Sequence, residues 1–168
     1  MNLKTLYNIV SLLLLPFGLL MLFTTLPMIL AAFISPSALF PLFMLICILI
    51  YIVCSFIFLQ KGIKNEIPCK KTLKDWIKVN AFVSITFAVL MLMQSIIIIR
   101  NPSIISEQLI TDLAAQRGGF TTQFPPELMH KLLKFISYFM LIYSIIIGLH
   151  IVLTFKLIKL YQHIFSKD

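Results

Sequence analysis

Apolar residues run almost without interruption through four stretches of this chain, at about 6–34, 40–59, 76–99 and 135–155. The hydrocarbon-length part of each holds no Asp, Glu, Lys or Arg. A water-soluble helix of such uniform apolarity would have no polar face, whereas lipid accepts a helix that is apolar all round and bonds its own backbone internally. About 20 residues cross the hydrocarbon core, so each stretch predicts one spanning helix. The pattern therefore predicts an all-α integral membrane protein: an antiparallel four-helix bundle forming a single membrane domain over residues 1–168. The first stretch exceeds the 7–15 residues of a secretory h-region, and it is expected to be retained although Ala31 and Ala32 precede Phe33 in the manner of a cleavage site.

Prolines punctuate this pattern. Pro16 lacks the amide that would donate to the Leu12 carbonyl, so a static bend is expected there, with the freed carbonyl taken by the Ser11 hydroxyl or a neighbouring helix. Ser35 before Pro36 reads as a helix start that leaves Pro41 inside the helix, which predicts a bend or a later start near Pro41. Thr72 followed by Asp75 reads as the N-cap of the third helix. Lys70, Lys74 and Lys78 recur every four residues with Trp76 among them. That spacing predicts a headgroup-level anchor that contacts lipid, or a docking surface for anionic lipid or an acidic partner.

The connection at about 100–134 has a pattern of its own. Asn101 and Pro102 suit a helix start, Ile105, Leu109 and Leu113 repeat at four, and Gly118 with Gly119 supply a stop. A short amphipathic helix is expected at about 102–117, capping the bundle. Pro125, Pro126 and Glu127 open the last helix, which is expected to continue to about Ser166. At 1.5 Å per residue it would measure about 60 Å against a core of about 30 Å.

Composition agrees with the pattern: mean hydropathy is +1.02, 60% of residues are hydrophobic and 12% charged, against roughly 25% charged in soluble domains. The formal charge of +8 is an orientation signal. Lys4, Lys61, Lys64, Lys70, Lys71, Lys74, Lys78, Lys156, Lys159 and Lys167 fall on one side of the spans, and Arg100, Arg117, Lys131 and Lys134 on the other. Both termini are therefore expected to be cytoplasmic, in the cytoplasmic (inner) membrane of a bacterium. No basic fold is available to present these charges to a nucleic acid, so none is expected as a partner.

Candidate chemistry is sparse. Cys47 and Cys54 lie within the second span, and Cys69 beside Lys70 and Lys71 is a thiol whose pKa those charges would lower. With His130, His150 and His163 dispersed and no H-E-x-x-H, no metal, cofactor or catalytic residue is expected. The polar residues of the later spans include Asn80, Ser84, Thr86, Gln94, Ser95, Ser144, His150 and Thr154. His150 and Thr154 are one turn apart, so a hydroxyl or carbonyl can satisfy the ring. Asn80, Gln94, His150 and Thr154 are the candidates for packing or for a polar path between the antiparallel third and fourth helices, although Gln94 and His150 differ in depth.

Layout gives resemblance and exclusion. A short first and longer second external connection resembles the tetraspanin arrangement, yet the Cys-Cys-Gly motif is missing. The membrane-embedded Glu of small multidrug transporters has no counterpart at 6–34, and the acidic motif of phospholipid-forming alcohol phosphotransferases is missing too. The layout is most similar to that of small four-span bacterial membrane proteins. The function expected is that of a non-enzymatic accessory or interaction protein acting on lipid, on a membrane-protein partner or as a homo-oligomer. The alternative is a small oligomeric transporter or channel with a path along spans three and four.

Overall fold

The fold is described from a computed structural model over residues 2–103, 105, 107, 111 and 125–166. Its elements are α1 (Leu3–Ile34), a 3-10 turn (Pro36–Ala38), α2 (Leu39–Ile57), a π-helical turn (Phe58–Lys64), β1 (Cys69–Lys70), α3 (Lys71–Arg100), α4 (Pro126–Leu160), a second 3-10 turn (Gln162–Ile164) and β2 (Phe165–Ser166). Four helices are long and apolar enough to cross a membrane, one for each apolar stretch of the sequence. Contacts gather the chain into two compact units, 2–88 with 146–166, and 89–145.

In the first unit α1 buries Tyr7, Val10, Ser11, Leu14, Phe17, Gly18, Met21 and Thr25, a single stripe at three- and four-residue spacing. α2 answers with Met44, Leu45, Cys47, Ile48, Tyr51, Ile52 and Ser55. Gly18 allows the approach, since a Cβ there would stand 3.4 Å from Cδ1 and Cγ2 of Ile52. Away from these stripes the helices expose large apolar side chains such as Leu12, Phe23, Val53 and Phe82, as lipid-facing surfaces do.

Several local expectations are revised. The Ser11 hydroxyl donates to the Tyr7 carbonyl at 2.7 Å rather than to that of Leu12, within a helix that continues past Pro16 and Pro27. A helical serine reaches back one turn, not forward. Of the two outcomes expected at Pro41 the later start is adopted: Pro36 opens the 3-10 turn and Pro41 is the third residue of α2, where an amide has no intrahelical acceptor to lose. α3 begins at Lys71, so Thr72 lies in its first turn rather than capping it. α4 starts at Pro126, as the two prolines indicate, but ends at Leu160 instead of near Ser166. Beyond it the chain turns, and Phe165 and Ser166 pair in parallel with Cys69 and Lys70. The Phe165 ring stacks on Phe58 with centroids 5.4 Å apart, and Lys74 Nζ stands 5.7 Å from its centre. This clasp replaces the last turn of helix.

In the second unit Ile98 of α3 packs with Met129 and Leu133 of α4, and Ile105 joins them. Most of the helix expected at 102–117, with the stop at Gly118 and Gly119, lies outside the described residues.

Candidate functional site

Inside the first unit the polar side chains converge on His150 of α4, which is 1% exposed. Ser11 of α1 stands seven residues from Lys4, Ser55 of α2 six from Lys61, and His150 six from Lys156. At 1.5 Å per residue these lie about 9–11 Å from the basic ends of their helices. Matching depth lets three separate helices bring polar groups to one point in an apolar interior.

His150 Nε2 is 2.9 Å from Ser11 Oγ, and Nδ1 is 2.7 Å from the Tyr51 hydroxyl. Thr154 Oγ1, one turn along α4, donates to the His150 carbonyl at 2.7 Å and lies 3.0 Å from the Tyr51 hydroxyl and 3.4 Å from Nδ1. Tyr7 stacks on the imidazole with ring centres 4.9 Å apart, and its hydroxyl donates to the Ser55 carbonyl at 3.3 Å. Tyr51 meets the ring edge-on at 5.6 Å.

Placing protons on the shortest contacts favours one tautomer of the ring. If Nε2 carries the hydrogen, it donates to Ser11, Ser11 donates to the Tyr7 carbonyl, Tyr51 donates to Nδ1, and Thr154 keeps its bond to the His150 carbonyl. Every contact of 2.9 Å or less then holds one proton. The Nδ1–H tautomer would instead let Tyr51 donate to Thr154 at 3.0 Å and leave Ser11 one proton for two shorter contacts, Nε2 at 2.9 Å and the Tyr7 carbonyl at 2.7 Å; the Nε2–H form leaves only the 3.0 Å contact unfilled. The cluster is thus a neutral, directional network that ties α1 and α2 to α4.

A crevice of about 190 Å³, counting its open mouth, runs alongside and is lined by Ser11, Leu14, Leu15, Ile52, Ser55, Phe56 and His150. Its walls are mainly apolar, and the polar atoms at its floor are those already bonded within the cluster.

Of the candidates from the sequence, His150 and Thr154 belong to this cluster. Asn80 does not: it is buried, but its Nδ2 donates to the Trp76 carbonyl one turn back on α3. Gln94 lies in the second unit and is exposed. The partners of His150 come from α1, α2 and its own helix. Tyr7, Ser11, Tyr51 and Ser55 were missed; the similar distance of Ser11, Ser55 and His150 from the basic ends of their helices is a signal for the two serines, and none marks the two tyrosines.

The basic anchor is also rearranged. Lys70 sits in β1 and only Lys74 and Lys78 are helical, so the three do not share a helix face. Lys74 leans over Phe165, while Trp76 is 54% exposed and free to meet headgroups. The Cys69 thiol is buried beside Phe58 and Gly62 and donates to the Ile67 carbonyl. Burial pushes its pKa up, with the Lys61 charge pulling the other way, opposite to the activation expected from Lys70 and Lys71. No group of three His, Cys, Asp or Glu side chains is placed to hold a metal among the described residues. Comparison with protein-family models, with curated proteins and with solved structures finds no match to this chain.

Proposed function

We propose that this chain is a non-enzymatic four-span membrane protein that works as an accessory or interaction protein, through contacts of its outer helix faces with lipid or a membrane partner. The His150 cluster is the internal pin that holds α1, α2 and α4 in register. One observation carries the reading: every buried side-chain nitrogen and oxygen among the described residues has a hydrogen-bond partner. A site that receives a substrate in the membrane keeps polar groups aimed at it, whereas this cluster spends its groups on one another. Lysines at 61–78 and 156–167 against fewer basic residues at 100–134 orient both termini to the cytoplasm, and the inner membrane of a bacterium is the setting that fits this layout.

The transport alternative makes a different prediction. Purified protein in liposomes is expected to pass neither protons nor small solutes above empty-vesicle leakage, with His150→Ala and Gln94→Ala behaving alike. Flux that depends on either residue would overturn the interaction reading in favour of a carrier or channel.

A further inference from the structure

We propose that a second copy of this chain packs in the same membrane orientation against α3 at Leu90, Gln94 and Ile97, with the two Gln94 amides hydrogen-bonded across a twofold axis. This names the partner for the interaction role proposed above and rests on that role for its purpose. Within the second unit, α3 buries Met91, Ser95 and Ile98 and leaves Leu90 (49%) and Ile97 (45%) exposed. Gln94 is exposed beside them, and among the described residues nothing bonds its amide. It stands six residues inside Arg100, about 9 Å by helical rise, in a stretch from 87 to 99 whose one other polar residue is the buried Ser95. A side-chain amide left unpaired in hydrocarbon is costly.

The occupant follows from symmetry and amide chemistry. A foreign helix would need its own polar group at this depth. A second copy in the same orientation brings one there by necessity, because a twofold axis along the membrane normal sets each residue against itself. The amide is self-complementary, carrying both a donor and an acceptor. The spacing suits a helix pair as well: Leu90, Gln94, Ile97 and Asn101 follow one another at four, three and four, the seam of a left-handed pair. Asn101 continues the helical path past Arg100, its amide donating to the Ile97 carbonyl at 3.0 Å, so it brings a second exposed amide to the same seam. A buried amide at one such seam position sets register and copy number.

The test uses the full chain in native membranes, with Cys47→Ala, Cys54→Ala and Cys69→Ser. Single cysteines are placed at Leu90, Leu92, Ile96 and Ile97, with Gln94 kept, under a mild oxidant. Disulfide-linked dimers are expected at 90 and 97 and little at 92 and 96. Equal yields, the opposite preference or no dimer would overturn the proposal. In parallel, two differently tagged copies are expected to copurify, about three- to thirtyfold less well with Gln94→Leu, which keeps the span apolar, and nearly as well as wild type with Gln94→Asn. Pairing that ignores Gln94→Leu refutes the amide contact. If copies fail to pair while another membrane protein copurifies, the interaction role stands without this interface. If copies pair and show flux that depends on His150, the interface stands without that role.

Discussion

Tyr51→Phe removes one hydroxyl from the centre of the His150 cluster and leaves the ring's packing in place, so its effect isolates a hydrogen bond. The lost bond is the 2.7 Å contact to Nδ1. A neutral bond contributes about 1 kcal/mol, and an acceptor left buried without a partner costs about 1–3 kcal/mol. Thr154 Oγ1 stands 3.4 Å from Nδ1 and can turn part of its donation from the His150 carbonyl towards the ring, which limits the loss. A destabilisation of about 1–2 kcal/mol follows. Tyr7→Phe is the internal control: its hydroxyl contacts are longer, at 3.3 Å, and about 0.5 kcal/mol is expected. Reversible unfolding in mixed micelles, followed by the fluorescence of the chain's single tryptophan, Trp76, would measure both. A double-mutant cycle with His150→Phe should show Tyr51 and His150 coupled by about 0.6–1.7 kcal/mol, the range of interhelical hydrogen bonds in membranes. Coupling below about 0.3 kcal/mol, or a greater cost for Tyr7→Phe than for Tyr51→Phe, would refute the assignment of the network.

Other consequences can be checked separately. Gly18→Ala is expected to be neutral or stabilising by up to about 1 kcal/mol, since the added methyl meets Ile52 at ordinary contact distance, while Gly18→Leu should cost about 1–3 kcal/mol by forcing α1 from α2; thermal unfolding in detergent would rank them. With its pKa raised, Cys69 should hold less thiolate than an ordinary thiol at neutral pH and react with maleimide at least about tenfold more slowly than a solvent-exposed cysteine. Phe165→Ala, which opens the clasp over it, should speed that reaction, and equal rates would show that the clasp does not shield the thiol. In a cysteine-free background, Ser106→Cys and Thr121→Cys should label from outside intact cells and Lys64→Cys only after permeabilisation; the reverse pattern would invert the proposed orientation.

The four helices are legible in the sequence because spanning a membrane imposes a long apolar run that few other constraints disturb. The start of α4 is legible for a similar reason, since Pro125, Pro126 and Glu127 act locally. The His150 network is only half legible. Thr154 is one turn away on the same helix and can be read directly, but Tyr7, Ser11 and Tyr51 are partners across helices, and chain order favours α3, the neighbour in sequence, over α1 and α2. Similar depth below the basic rims recovers Ser11 alone, seven residues from Lys4 as His150 is six from Lys156; Tyr7 and Tyr51 reach the ring from other depths. The clasp of Cys69 and Lys70 with Phe165 and Ser166 leaves no periodic signal, because a bridge of two residues is too short to alternate. It also reverses the expected chemistry of Cys69, where a sequence shows adjacent lysines and the fold supplies burial.

The central claim is that the chain acts through membrane contacts while its polar interior serves structure. Direct extraction from native membranes into nanodiscs, followed by mass measurement and identification of every copurifying protein, tests it most directly. The account predicts two copies of the chain or a stoichiometric membrane-protein partner. A particle holding one copy with lipid alone, from a preparation that transports solute in liposomes, would contradict it.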